Sequence, residues 1–348
     1  MPLIMSGGRV PARWAEKKNL SVRGAREHDA NPSECLKIAL VNNMPDSALE
    51  DTEVQFFELL DAASGDVPVL IKLYSLPEII RTDRAQLHLS SHYFGIDDLL
   101  KTRYDGVIIT GTEPRQRNLR DEPYWRTLVD VFDWAENNTT SAVLSCLAAH
   151  ASVLHSDHID RHPLADKQFG VFGYEKSCEH PLTAGAAASV RFPHSRWNEV
   201  RADQLASCGY SVLTKSPDAG ADLFVKQKKQ SLFVHFQGHP EYFGQTLLKE
   251  FRRDIRRFLT RERETYPSMP RGYFDAEAAK LLDEFRRNAE SHRQEDLMQV
   301  FPEAAISDTL QNTWRESAIC VYSNWLQFLL SKSTRISPVP VAIRAQSR

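Results

Sequence analysis

The chain has no Cys-x-x-Cys pair: its five cysteines, Cys35, Cys146, Cys178, Cys208 and Cys320, are odd in number and widely spaced. That leaves no spacing for a zinc site and points to a reducing cytoplasm rather than a disulfide framework. Long apolar runs are missing as well, so no segment is a membrane-spanning candidate, and the first residues lack the apolar core of a secretory signal. Nor is there an excess of one charge. A formal net charge of -3 over 348 residues argues against bulk nucleic-acid binding. There is no internal repeat and no low-complexity tract. With 42% hydrophobic and 26% charged residues, the composition is that of an ordinary globular chain, long enough for one large domain with additions, or two.

Apolar runs of strand type alternate with helical periodicity. Strands are expected at 36–41, 69–74, 105–110, 141–145, 211–213, 223–228 and 231–236. Helices are expected after Ser47-Ala-Leu-Glu50, which has capping-box form, and at 123–137, 147–154 and about 245–263. This order favours an α/β fold with a mainly parallel sheet covered by helices on both faces. Right-handed crossovers then gather the strand carboxyl ends along one edge, where Gly111 and Cys146 each close a strand. Residues 1–34 show little periodicity and are expected as a loose N-terminal arm, 35–266 as the α/β domain, 267–312 as a charged helical insertion, and 313–348 as a closing segment and tail.

Cys146 lies where the apolar run ending at Ser145 turns into helix formers. A sulfur at that corner faces the unpaired N–H groups of a helix start, which favour a thiolate. The plainer reading is a small buried hydrophobe. His239 and Glu241 lie two apart across Pro240, which keeps the segment extended, so their side chains point the same way. A carboxylate that close can hold one ring nitrogen while the other acts as a base. Cys146, His239 and Glu241 thus make a triad of nucleophile, base and orienter. A tetrahedral intermediate also needs N–H donors. The Leu147 amide is one candidate and an amide at Gly111–Thr112 the other, although Gly111 fits a simple strand-ending turn equally well.

Several stretches resemble the homoserine O-succinyltransferase (homoserine O-acyltransferase) family, which has the class I glutamine amidotransferase-like, flavodoxin-like fold. They are Val41-Asn-Asn-Met-Pro45, Asp105-Gly-Val-Ile-Ile-Thr-Gly111, Pro123-Tyr-Trp125, Cys146, Lys167 with Gly170-Val171, Pro193-His-Ser-Arg196, Gly238-His-Pro-Glu-Tyr242, Gln245-Thr-Leu247, Arg253-Asp254, Trp314-Arg315 and Asn324-Trp-Leu326. They fall in one order at near-constant spacing over roughly 36–266 and 313–330. The resemblance implies that Cys146 forms an acyl thioester, with His239 as base and Glu241 as third member. It also implies that Lys167, Ser195 and Arg253 bind the amino-acid substrate. The implied reaction is ping-pong transfer of an acyl group, succinyl first, from acyl-CoA to the hydroxyl of L-homoserine in methionine biosynthesis. Acyl-CoA is then a co-substrate, with no cofactor or metal, and the expected assembly is a cytoplasmic homodimer with no nucleic-acid or membrane partner.

Two departures from the family pattern stand out. Asp46 and Ser47 follow Met44-Pro45 where the family carries lysines. Arg115 occupies the position whose glycine or glutamate sets the choice of acyl group, and it is expected to pair with the free carboxylate of a succinyl group. Other readings keep the fold and change the chemistry: an acetyl donor, serine or another hydroxy amino acid as acceptor, glutamine hydrolysis, or a pseudoenzyme binding module.

Overall fold

The computed structural model describes residues 3–18 and 34–333. In chain order the strands are β1 (Leu3–Met5), β2 (Leu36–Val41), β3 (Val69–Tyr74), β4 (Gly106–Ile109), β5 (Ser141–Ser145), β6 (His162–Lys176), β7 (Ser189–Glu199), β8 (Ser211–Val212), β9 (Thr214–Ser216), β10 (Gly220–Ala221), β11 (Leu223–Lys228) and β12 (Ser231–Phe236). The helices are α1 (Ala12–Lys17), α2 (Asp46–Ser64), α3 (Asp83–His92), α4 (Ile96–Lys101), α5 (Trp125–Asn138), α6 (Leu147–Asp157), α7 (Ala202–Ser207), α8 (Thr246–Leu259), α9 (Ala276–Ser291), α10 (Glu303–Ser307) and α11 (Arg315–Lys332).

One sheet runs β1-β3-β2-β4-β5-β12-β11-β8; it is parallel from β1 to β12 and antiparallel at β11 and β8. The alternation of β2 explains the layers. Leu36, Ile38 and Leu40 enter a core shared with α2 and α11, while Ala39 and Val41 enter a second core shared with α5 and α6. A sheet buried on both faces reads as continuous apolar runs, and those runs are what made its strands visible in the sequence. Gly106 lets α11 approach: a Cβ there would lie 2.7 Å from the Trp325 ring. The order reverses direction between β2 and β4, a topological switch point whose crevice opens at the strand carboxyl ends.

Four features differ from expectation. The N-terminal stretch is not loose over residues 3–18: β1 extends the sheet beside β3, and Trp14 is buried against Phe57 with ring centroids 5.5 Å apart. Residues 19–33 of the expected arm, and 334–348 of the expected tail, lie outside the described residues. The helix after Pro45 begins at Asp46 without a side-chain cap, so Ser47 does not form the expected capping box. Between α6 and β8, where no strand is expected, β6 and β7 pair antiparallel and join β9 and β10 in a second, four-stranded sheet. Finally, α8 stops at Leu259, before Arg261 takes a positive φ of 66°.

Residues 267–312 hold no named strand; α9 and α10 pack with α8 and Trp314 around a third apolar core. Among the described residues no helix is long and apolar enough to cross a membrane.

Candidate active site

Cys146 sits between β5 and α6 with φ 52° and ψ −110°, a conformation that L-residues adopt only under constraint. Neighbours fix the corner: the Cys146 amide donates to Phe236 O at 2.8 Å, and its carbonyl accepts from the amides of Ala149 and His150. A strained strand-to-helix turn lifts the side chain of its residue out of the sheet edge, which is how nucleophile elbows are built. Cys146 is correspondingly half-buried, unlike Cys35, which is buried.

Where β12 ends, the His239 amide donates to Pro193 O at 2.9 Å and the Gly238 amide to Asp222 Oδ1 at 2.7 Å. His239 Nδ1 lies 2.8 Å from Glu241 Oε1, and the ring stacks on Tyr242 at 4.2 Å between centroids. Cys146 lines the same cleft and acts electrostatically on the imidazole. Burial alone favours the neutral ring, but the negative charges of Cys146 and Glu241 outweigh it and hold His239 well above the ordinary histidine range. His150, one turn into α6, has the opposite fate. Burial and the charge of Arg196 push it down to about 3, and it is held by Gln237 Oε1 at 2.9 Å. Two histidines therefore line one cleft, and only His239 is set up to carry a proton.

The cleft holds about 580 Å³ and is lined by Cys146, His239 and Glu241 together with Gly111, Thr112, Leu147, Lys167, Ser195 and Arg253. Gly111 packs so tightly on the start of α6 that a Cβ would lie 2.7 Å from Leu147 Cβ and 2.9 Å from Leu147 N. The Leu147 amide belongs to the first helical turn, whose donors have no intrahelical acceptor. The opposite wall is a charge network. Lys167 Nζ donates to Asp254 Oδ2 at 2.9 Å and lies 3.8 Å from Glu250 Oε2. Arg253 donates to Asp254 Oδ1 at 3.2 Å, and Ser195 Oγ to Glu250 Oε2. Burial would raise the Asp254 carboxyl, but Lys167 and Arg253 hold it below the usual carboxylate range.

Arg115 does not line the cleft. Glu122 Oε1 accepts the amides of Arg115 and Gln116 at 2.5 and 2.6 Å, and the Arg115 side chain is exposed. At the entrance to α2, Asp46 accepts from Arg81 at 3.1 Å and from Thr82 at 2.7 Å, while Arg81 also donates to Met44 O at 2.6 Å. A nearly buried arginine thus stands beside Asp46.

From sequence Glu250 has no role, and Tyr242 only a place at the end of the Gly238–Tyr242 stretch. Tyr242 joins the two walls, stacking on His239 and donating to Glu250 Oε1 at 2.8 Å. The spacing Glu250, Arg253, Asp254 is i, i+3, i+4 on one helix face, a signal that was present. Among the described residues no group of three or more His, Cys, Asp or Glu side chains is arranged to hold a metal ion.

Fold and site define a class: doubly wound α/β proteins that present a cysteine, a histidine and a glutamate in one cleft at the carboxyl edge of a parallel sheet. A family model described as homoserine O-succinyltransferase matches residues 10–336, and the chain belongs to that family. It is similar to the homoserine O-succinyltransferase of Rhodopseudomonas palustris, 44% identical over 85% of this chain and 89% of that one. That of Bradyrhizobium japonicum is 42% identical over 94% of this chain and 99% of the relative. A solved glutamine amido transferase from Methylobacillus Flagellatus aligns with a TM-score of 0.46 and 13% identity over 85% of this chain and 95% of that one.

Proposed function

We propose that the protein transfers a succinyl group from succinyl-CoA to the hydroxyl of L-homoserine, a step of methionine biosynthesis, through a succinyl thioester on Cys146. The observation that carries this reading is one cleft that holds Cys146 at a strained corner together with the bonded pair His239 and Glu241. The names of the relatives supply homoserine and the succinyl group.

In the first half-reaction the Cys146 sulfur attacks the thioester carbonyl while the amides of Leu147 and of Gly111 or Thr112 face the developing oxyanion. The bond to the coenzyme sulfur breaks, and protonated His239 returns a proton to the departing thiolate. In the second, neutral His239 takes the proton of the homoserine hydroxyl as its oxygen attacks the acyl-enzyme. The Cys146–carbonyl bond breaks, and thiolate and imidazolium are restored. Glu241 keeps the ring oriented and supports its charge. Arg253, on the rim of the cleft, suits a fork of bonds to the amino-acid carboxylate, and Glu250 and Asp254 suit its ammonium group. Lys167 and Ser195 hold those two carboxylates in place. The reading includes a cytoplasmic homodimer with no cofactor besides its co-substrates.

Intact-mass measurement after mixing with succinyl-CoA tests this directly. One succinyl group is expected on the wild type and none on Cys146→Ala; a wild type left unmodified, or an adduct that survives the substitution, overturns the reading. Release of the adduct by homoserine, compared with serine, decides the acceptor.

A further inference from the structure

Six cationic side chains line the cleft: Arg161, Lys167, Arg196, Arg253, Arg257 and Arg263. Five are already engaged. Lys167, Arg253, Arg257 and Arg263 share the carboxylate of Asp254. Arg196 spends its donors on His194 Nδ1, Asn198 O and Ala219 O at 3.2, 2.8 and 2.7 Å. Arg161 differs. Among the described residues its one hydrogen bond runs from a terminal nitrogen to Arg117 O at 3.2 Å, and it forms no ion pair with a carboxylate there. It stands just after α6, and its charge acts on Cys146, as it does on Tyr124 and Glu122. A half-buried guanidinium with donors to spare, lining the same cleft as the sulfur that takes the acyl group, is a ready anion site.

We propose that Arg161 receives the free carboxylate of the succinyl group and so selects the acyl donor. This rests on the acyl-transfer reading above and gives it a specificity residue. The role was expected of Arg115, but that side chain lies outside the cleft lining while Arg161 belongs to it. A succinyl group on Cys146 carries its carboxylate two methylenes beyond the carbonyl, whereas acetyl ends in a methyl and gains nothing from a cation. Burial pulls Arg161 below the usual arginine range, with the charges of Tyr124, Glu122 and Cys146 offsetting it, as suits a cation that awaits an anion.

The test compares acylation of Cys146 by succinyl-CoA and by acetyl-CoA in the full-length wild type, Arg161→Met and Arg161→Lys, followed by intact mass in single turnovers. The succinyl-to-acetyl rate ratio is expected to drop about 10- to 100-fold in Arg161→Met, the size of one lost charge-assisted pair, and less in Arg161→Lys. Equal slowing of both donors, or no change in the ratio, overturns the proposal. A second arm needs no transfer: succinate should slow iodoacetamide labelling of Cys146 in the wild type and lose that effect in Arg161→Met. If the wild type accepts neither donor, the acyl-transfer reading has failed, and the labelling arm alone decides whether the carboxylate site exists: protection lost with Arg161 upholds it, and absent or unaltered protection refutes it.

Discussion

The two walls of the cleft are built on different principles. The Cys146 wall is backbone: a positive φ, a glycine in van der Waals contact with a helix start, and amides with no helical acceptor. The opposite wall is side chains, in which Lys167 and Ser195 from the second sheet meet Glu250, Arg253 and Asp254 from α8. Backbone geometry tolerates no substitution by halves, because the atoms have nowhere to go. A network of paired side chains can lose one and rearrange. The contrast predicts that damage to the first wall affects every step, and damage to the second mainly the step that uses the amino acid.

The largest effect is expected from Gly111→Ala. The added Cβ meets Leu147 Cβ at 2.7 Å and its amide nitrogen at 2.9 Å, both inside ordinary contact, so the loop or the first turn of α6 must shift. Moving either amide away from the oxyanion should slow acylation and deacylation alike, by about 10²- to 10³-fold. Stopped-flow measurement of each half-reaction checks this; a loss confined to one of them would show that the two walls are not divided as argued. Arg253→Lys should do less and do it selectively. A lysine keeps the charge and loses the fork, so kcat/KM for homoserine should fall about 10-fold or more while the rate of Cys146 succinylation stays near that of the wild type. Equal losses in both half-reactions would place Arg253 at the donor instead.

The same contrast explains what was legible in the sequence. Backbone features leave local marks: the apolar run before Cys146, the glycine closing the strand at 111, and the proline that keeps His239 and Glu241 on one side. The parallel strands are legible because both faces are buried. The second sheet is not, because β6 mixes exposed and buried positions without a clean period and shifts register between Pro163 and Gln168. Lys167 and Ser195, which stand on β6 and β7, were therefore reached by family resemblance alone. Arg161 carries no local mark either, since its meaning depends on which other cations are already paired. The assignment to Arg115 followed a family position, and Glu122 explains its displacement: by binding two successive amides it fixes the loop with the 115 side chain outside the cleft lining.

The smallest expected effect concerns protons rather than rates. Burial opposes a charged His239, and the charges of Cys146 and Glu241 together raise it well above 6.5, the ordinary value. A histidine raised in the folded state adds stability that is fully present below the unfolded value and is lost as the pH rises through the folded one. In Cys146→Ala the pull of the sulfur is gone, and Glu241 is left as the nearest charge working against burial. The imidazole should then titrate at lower pH than in the wild type, and the window over which its protonation stabilises the fold should close earlier on the alkaline side. An NMR titration of the His239 ring in both proteins, with melting temperatures followed across the same pH range, measures this. An unchanged midpoint would mean that the charge of His239 is set without Cys146, and that the two residues of the triad nearest the acyl group are electrostatically independent.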